Sequence, residues 1–362
     1  MLLKELFDFL PKSRRSASYG FPEGKYPFFT SSNIIDKYVD EPDYKGEFLI
    51  IGDGGTGNCK FYNGSFSASD HNYLLRPKSK TNTQCVQYFL QRNNFKILNE
   101  GFKGVGIKNV SKTYIENIDY IYNHKFTENE IVSNLERIEL AIENDKKQLA
   151  LLDELIKSRF IEMFGDPVEN PKNWNKRSLL DMGTCKNGLN YRPGETGVSV
   201  YCLGVGDFKD LSVINDVSKL SKIELEKTPS EVCMLKDGDI VFVRSNGNKA
   251  LVGRCLAVYP QTAQVVHGGF CIRYRRNYKD LDTAYLLSVL KSDSMRMKMA
   301  GHGANIQNLN QKILASLDIP IPPLSLQNEF AEFVKLIDKS KFVVHSRYFL
   351  CDILTLFSST IA

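Results

Sequence analysis

The chain has 362 residues, 42% apolar and 25% charged, with a net charge of +5, the profile of a soluble protein with room for two domains and additional helices. Its longest apolar runs fall far short of the roughly 18 residues a membrane-crossing helix needs, and Lys4, Glu5 and Asp8 near the start do not suit a signal peptide. Eight scattered cysteines without a C-x-x-C spacing, and few histidines, give no support to a structural zinc site and point to a reduced, cytosolic setting.

Residues 1–125 read as mixed α/β structure. Strand-like runs at Glu47–Ile51 and Asn72–Arg76 lie between turn-forming clusters at Gly52–Asn58 and Tyr62–Ser65. Over 126–164 the apolar period becomes helical. Thr127 and Glu130 have capping-box spacing, and Ile131, Leu135, Ile138, Ile142, Leu149, Leu152 and Ile156 form a heptad stripe. Gly165 and Pro167 end it. Residues 165–323 return to the mixed style, with strands expected at Ile240–Val243 and Gly269–Tyr274. A second helix is expected over 324–362, after Pro320, Pro322 and Pro323, with Ser325 as its cap and Phe330, Val334, Ile337, Val344 and Tyr348 as its stripe.

The two halves repeat. Gly104–Ile121 matches Gly303–Pro320 and its flank at an offset of 199, pairing Ile107 with Ile306, Asn109 with Asn308, Ile118 with Leu317 and Asp119 with Asp318. Gly46–Ile50 similarly resembles Gly238–Phe242, and Tyr88–Leu90 resembles Tyr285–Leu287. The two helical stripes keep the 199 offset, so they are expected to pack as a coiled coil; the alternative is that each packs on its own domain. Residues 1–125 carry 17 basic and 13 acidic side chains, 126–164 carry 5 and 9, and 165–323 carry 21 and 16. Basic globular parts joined by less basic helices suit an anionic partner on the former and protein contacts on the latter.

The stretch Asp318-Ile319-Pro320-Ile321-Pro322-Pro323-Leu324, with Gln327, Glu329 and Phe330, resembles the joint between recognition domain and helix in type I restriction–modification specificity subunits. So does Leu152–Phe160 followed by Met163-Phe164-Gly165-Asp166-Pro167, then Trp174 and Leu179, Asn187–Arg192 and Leu235–Ile240. Ile121-Tyr122-Asn123-His124 departs from the proline-rich joint. The resemblance implies an α/β (α+β) fold with two pseudo-symmetric target-recognition domains, each followed by a long helix, the helices pairing as an antiparallel coiled coil. It also implies a non-catalytic subunit reading a split sequence in double-stranded DNA. Two modification subunits using S-adenosylmethionine would dock on it, and restriction subunits using ATP and Mg are compatible with it.

No Asn/Asp-Pro-Pro-Tyr/Phe motif for adenine methylation is present; Ile321-Pro322-Pro323-Leu324 can neither hydrogen-bond nor stack on a flipped base. Gly52–Gly57 lacks the Gly-Lys-Ser/Thr ending of a phosphate loop. Asp53, Asp70 and His71 show no convergence of the kind a metal nuclease needs. A stand-alone DNA methyltransferase or nuclease, and a protein-only adaptor, are the competing readings. Base edges are read by long polar and cationic side chains in loops. The candidates in the first domain are Lys12, Arg14, Arg15, Ser31, Ser32, Asn33, Lys103 and Lys108. In the second they are Lys186, Asn190, Tyr191, Arg192, Arg244, Ser245, Asn246, Asn248 and Lys249. Arg273, Arg275 and Arg276 are either phosphate contacts or structural cations.

Overall fold

A computed structural model describes residues 1–361 except 79–80, 107, 122–125, 193, 209–211 and 301–307, with backbone alone at 93–94, 300 and 348–361. Ile107, the 122–124 joint, Gly303, Ile306 and the Tyr348 side chain, all used in the sequence reading, lie outside the described residues. The chain divides into two units, one of residues 1–148 and 343–362, the other of 149–342. The division falls inside both long helices, so neither helix is a separate body.

The first unit opens with a short helix, α1 (Leu3–Leu6), and a six-stranded sheet. Its strands are β1 (Phe7–Phe9), β2 (Tyr26–Phe29), β3 (Tyr38–Val39), β4 (Tyr44–Gly52), β5 (Cys59–Ala68) and β6 (Asn72–Pro77), in the order β1-β6-β4-β5-β2-β3. All pairs are antiparallel except β2 with β5. Then come α2 (Thr83–Glu100), a hairpin of β7 (Phe102–Lys103) and β8 (Asn109–Val110), α3 (Lys112–Glu116) and the long α4 (Glu128–Phe164). Strand β4 is buried on both faces. Its two-residue period sends Leu49 and Ile51 toward α2 and the start of α4, and Phe48 and Ile50 toward Phe29 and Phe66. Tyr62–Ser65, expected as a turn, instead lies within β5. Asn63-Gly64 has turn chemistry, but Tyr62 and Phe66 pack edge-on against Phe29 and Gly64 sits opposite Gly46 in the ladder, so pairing and burial override local propensity.

The second unit repeats the plan with more strands. These are β9 (Lys176–Ser178), β10 (Gly183–Asn187), β11 (Val198–Leu203), β12 (Val213–Ile214), β13 (Ser221–Leu225), β14 (Asp239–Val243), β15 (Cys255–Val258), β16 (Val265–His267) and β17 (Cys271–Arg276). Helices α5 (Thr283–Lys291), α6 (Asp293–Ala300) and α7 (Gln311–Ala315), strand β18 (Asp318–Pro320) and the long α8 (Leu324–Ile361) follow. The sheets run β10-β17-β14-β15-β12, β13-β11-β16 and β18-β9. Ile240 and Phe242 face the helices; Val241 and Val243 face the three-stranded sheet.

The repeat is structural. Ser111 caps α3 through the Tyr114 N–H, and Asn310 caps α7 through the Ile313 N–H. The Leu3 N–H donates to Ile118 at 3.0 Å, and the Leu179 N–H to Leu317 at 2.9 Å. The alignment of Gly46–Ile50 with Gly238–Phe242 is out of phase with the pleat. It pairs Leu49, on the helix side of its sheet, with Val241, on the opposite side. A shift of one residue reverses every face of a strand.

Helix α4 begins as its spacing predicts. The Thr127 N–H donates to Glu130 Oε2 at 2.8 Å, and the Glu130 N–H donates to Thr127 Oγ1 at 3.2 Å. Helix α8 begins one residue before the predicted cap. It starts at Leu324, with the Leu326 and Gln327 N–H groups donating to the Pro323 carbonyl, so Ser325 lies inside the first turn. Buried Gln327 anchors this end. Its amide donates to the carbonyls of Pro322 (2.8 Å) and Asp280 (3.1 Å) and accepts from the Asp282 N–H (2.8 Å). Among the described residues no helix is long and apolar enough to cross a membrane.

Candidate nucleic-acid interface

In the first unit the Gly52–Asn58 turn, leaving β4, is the hub on which most candidate residues converge. The Gly55 N–H donates to the Lys108 carbonyl, the Val110 N–H donates to the Asp53 carbonyl, and Gly54 bridges Asn109, so the β7–β8 hairpin with Lys103 and Lys108 lies against the turn. Nearly buried Asp53 takes Lys12 on one oxygen and the His71 ring, at 3.1 Å, on the other. Lys12 also sits 4.6 Å from the Tyr73 ring centre. The Asn58 amide and Lys60 ammonium reach the carbonyls of Ser31 and Ser32, both at 2.6 Å, which draws the Ser31–Asn33 segment in. Burial lowers the Lys60 pKa. Arg15 is committed elsewhere, to Asp43 at 2.6 Å and to the Tyr19 ring, while Arg14 and Asn33 are exposed. Asp53, His71 and Lys12 therefore form a polar cluster that orders the loop. Asn58 and Lys60, which sequence reasoning missed, tie the loops together through ordinary side chain–carbonyl bonds.

In the second unit the hub is the turn His267-Gly268-Gly269-Phe270. The Leu189 N–H donates to His267 and the Gly188 N–H to Cys271, which holds the segment from Lys186 to Arg192 on one side. On the other side the N–H groups of Arg244 and Ser245 donate to the Phe270 carbonyl, at 2.8 and 3.3 Å. The two candidate clusters, over fifty positions apart in the chain, are thus neighbours. Asn190, Tyr191 and Arg192 are exposed. The Asn246 and Asn248 side-chain oxygens accept the N–H groups of Asn248 and Ala250, so they shape the loop that carries Lys249. Lys186 is exposed on β10 opposite Arg273 of β17.

Three arginines divide by role. Arg275 makes two bonds to buried Asp239, at 2.7 and 2.8 Å, and one to the Met234 carbonyl; its pKa is raised, first through the Asp239 hydrogen bond. Arg276 donates to the Tyr278 carbonyl. Arg273 is 3% exposed, and burial lowers its pKa. Burial likewise lowers that of His267, whose Nε2 lies 3.1 Å from the Lys186 carbonyl. Arg275 is a structural cation, whereas Arg276 remains exposed at the end of β17.

Glycine permits the loops of the second unit to touch. A Cβ on Gly188 would overlap the Gly268 carbonyl, and one on Gly269 would overlap Asn190 Oδ1. Because the first obstacle is backbone, Gly188→Ala is expected to push the two loops apart, costing on the order of 1–3 kcal/mol of stability. Denaturant titration checks it; a cost below about 0.5 kcal/mol, the usual effect of a surface change, would refute the close packing.

The helical stripes split between two tasks. Ile131 and Leu135 lie in the core of the first unit, and Phe330 in that of the second, with Ile156 and Val334 packed against it. These ends pack on their own domains, as the alternative had it. Ile138, Ile142, Leu149, Leu152 and Ile337 are half-buried along the helices, and Val344 is buried. In the second unit Arg159 pairs with Glu329, and Asp153 with Lys341, so α4 and α8 run antiparallel. In the first, Arg347 grips buried Asp145 and reaches Gln148 at 3.1 Å.

The profile of the family described as the type I restriction modification DNA specificity domain matches residues 1–152 and 171–345. The StySPI specificity subunit of Salmonella potsdam is 28% identical over 170 residues, 45% of this chain and 35% of that protein, so the chain spans about a third of its length. The MjaVIII specificity subunit of Methanocaldococcus jannaschii is 22% identical over 344 residues, 87% of this chain and 80% of that protein. The crystal structure of the S subunit of the M. genitalium type I system superposes with a TM-score of 0.62 at 15% identity, covering 99% of this chain and 94% of that one. A second solved structure, from a study of assembly and conformational transition in a type I system, gives 0.56 at 14% identity. These structural likenesses speak to the fold.

Proposed function

Because this chain belongs to the family of type I restriction–modification DNA specificity domains, we propose that it is the sequence-reading subunit of such a complex, each unit reading one half of a bipartite site in double-stranded DNA. The observation that carries this is the presence of two specificity domains in one chain, each gathering its exposed polar and cationic loops on a single glycine-rich turn. Phosphates would be met by Lys103, Lys108, Lys186 and Lys249, and base edges by Asn190, Arg192 and Arg244, while Lys12 stays with Asp53 and orders the loop.

The two long helices would set the gap between half-sites. Helix α4 has 37 residues, roughly 55 Å at 1.5 Å per residue. Their outer faces would dock two modification subunits. In the second unit Leu151, Leu155, Leu336 and Phe342 are 46–73% exposed, apolar surface that a partner would cover. In this reading the chain carries no catalytic site. S-adenosylmethionine would be bound by the modification subunits, and ATP and magnesium by restriction subunits where the system has them.

The test is methylome sequencing of cells expressing the chain with and without its candidate modification subunit. A split motif methylated on adenine in both halves, seen only with both proteins present, is the expected result. A soluble complex with no split motif would favour the protein-only adaptor, and methylation by this chain alone would mean it is an enzyme.

A further inference from the structure

Phe270 is the unusual residue of the second unit's loop cluster. It stands third in a turn closed by the Cys271 N–H donating to the Gly268 carbonyl at 2.9 Å. Its own carbonyl takes the N–H groups of Arg244 and Ser245. Its backbone is therefore pinned on both sides, yet the residue is 69% exposed. Gly268 and Gly269 leave no bulk beside it, and Asn190 lies against Gly269. A single exposed aromatic on a protein surface means little. Here the ring is held on a rigid turn between the two polar segments that this unit offers to DNA, with Tyr191, itself 43% exposed, in the adjoining loop.

We propose that Phe270 makes an apolar contact with a base in the second half-site. The inference rests on the DNA-reading function proposed above. A phenyl ring has no affinity for phosphate, and the partners in a duplex that would make its contact depend on sequence are a thymine methyl group in the major groove and the face of an unstacked base. The rigid turn lowers the ordering cost of that contact, because its backbone is already fixed before DNA arrives. Arg244 and Arg192 would supply the polar contacts on either side, and Phe270 the shape-selective one between them.

The experiment uses the full chain in complex with its modification subunit and a duplex bearing the motif found by methylome sequencing. Affinity is measured for the motif and for a scrambled duplex, across a range of salt concentrations, for wild type, Phe270→Ala and Phe270→Trp. Phe270→Ala is expected to weaken motif binding by about tenfold. Its affinity for the scrambled duplex, and the slope of log affinity against log salt, should stay as in wild type, since no phosphate contact is lost. Phe270→Trp should keep most of the affinity. Unchanged motif affinity in Phe270→Ala would overturn the proposal, and so would a reduced salt slope, which would report a lost phosphate contact. If wild type does not prefer its motif to the scrambled duplex, the DNA-reading function itself fails. Deoxyuridine in place of each thymine then separates the two partners. A loss seen in wild type and absent in Phe270→Ala marks a methyl contact; no sensitive thymine marks stacking on a base.

Discussion

Phe330→Ala is expected to cost about 3–5 kcal/mol of folding free energy, the usual penalty for emptying a buried phenyl site. Phe330 is fully buried at the start of α8. Its ring centre lies 5.6 Å from Phe160 and 5.5 Å from Phe164, both on the last turns of α4, and each crosses it edge-on. Phe164 in turn crosses Tyr285 of α5 at 4.7 Å. One side chain thus joins the end of one long helix, the start of the other and the domain helix behind them. Removing it takes away the hydrophobic transfer energy and the edge-to-face contacts together. Chemical denaturation followed by circular dichroism measures the loss. Phe330→Leu should be milder, below about 1.5–2 kcal/mol, since it fills most of the space. Equal stability of Phe330→Ala and wild type would show that this aromatic cluster does not hold the second unit together.

Arg347→Ala is expected to cost about 3 kcal/mol, because it strands a buried carboxylate. Asp145 is 1% exposed, and both of its oxygens receive Arg347 Nε at 3.0 Å. The position 199 residues later is Val344, which is buried and apolar, so the two copies of the repeat differ at this seam position. Replacing both partners by leucine should recover most of the loss, since the cost comes from an uncompensated charge and not from missing attraction. The double variant should also lose register specificity. A slip of one heptad would set Asp145 opposite Ser340 or Leu354, so the two-pronged grip of Arg347 is available only in the native register. Denaturation midpoints of the single and double variants test the first claim. Disulfide trapping between engineered cysteine pairs, in and out of register, tests the second. A neutral Arg347→Ala would show that water already satisfies Asp145.

How much of this was legible beforehand depended on the range of the forces involved. The capping box of α4 lies within four residues and forms as its spacing predicts, whereas α8 starts one residue before the expected cap at Ser325, at an end anchored by Gln327, whose partners Asp280 and Asp282 lie 45 or more residues away. The turn chemistry of Asn63-Gly64 gave way to pairing with Gly46, and the face assignment of the Gly46 and Gly238 segments was out by one residue. Phe270 carries no local signal, because an exposed phenylalanine and a core phenylalanine look alike in a sequence.

From sequence alone came the two-fold repeat, the two long helices and the family resemblance, because these rest on periodicity and spacing repeated over many residues; the antiparallel sense of the helix pair came only as what that resemblance implies. Only the tertiary structure decided which loops became neighbours. The turn from His267 to Phe270 brings Lys186–Arg192 beside Arg244–Lys249, and the Gly52–Asn58 turn brings Lys12, Ser31, Ser32 and Lys108 together. It also separated the cations: Arg275 is held by buried Asp239, while Arg192 stays exposed. A loop's neighbours are set by strand order and by backbone hydrogen bonds between distant segments, and neither leaves a local mark in the chain that makes them.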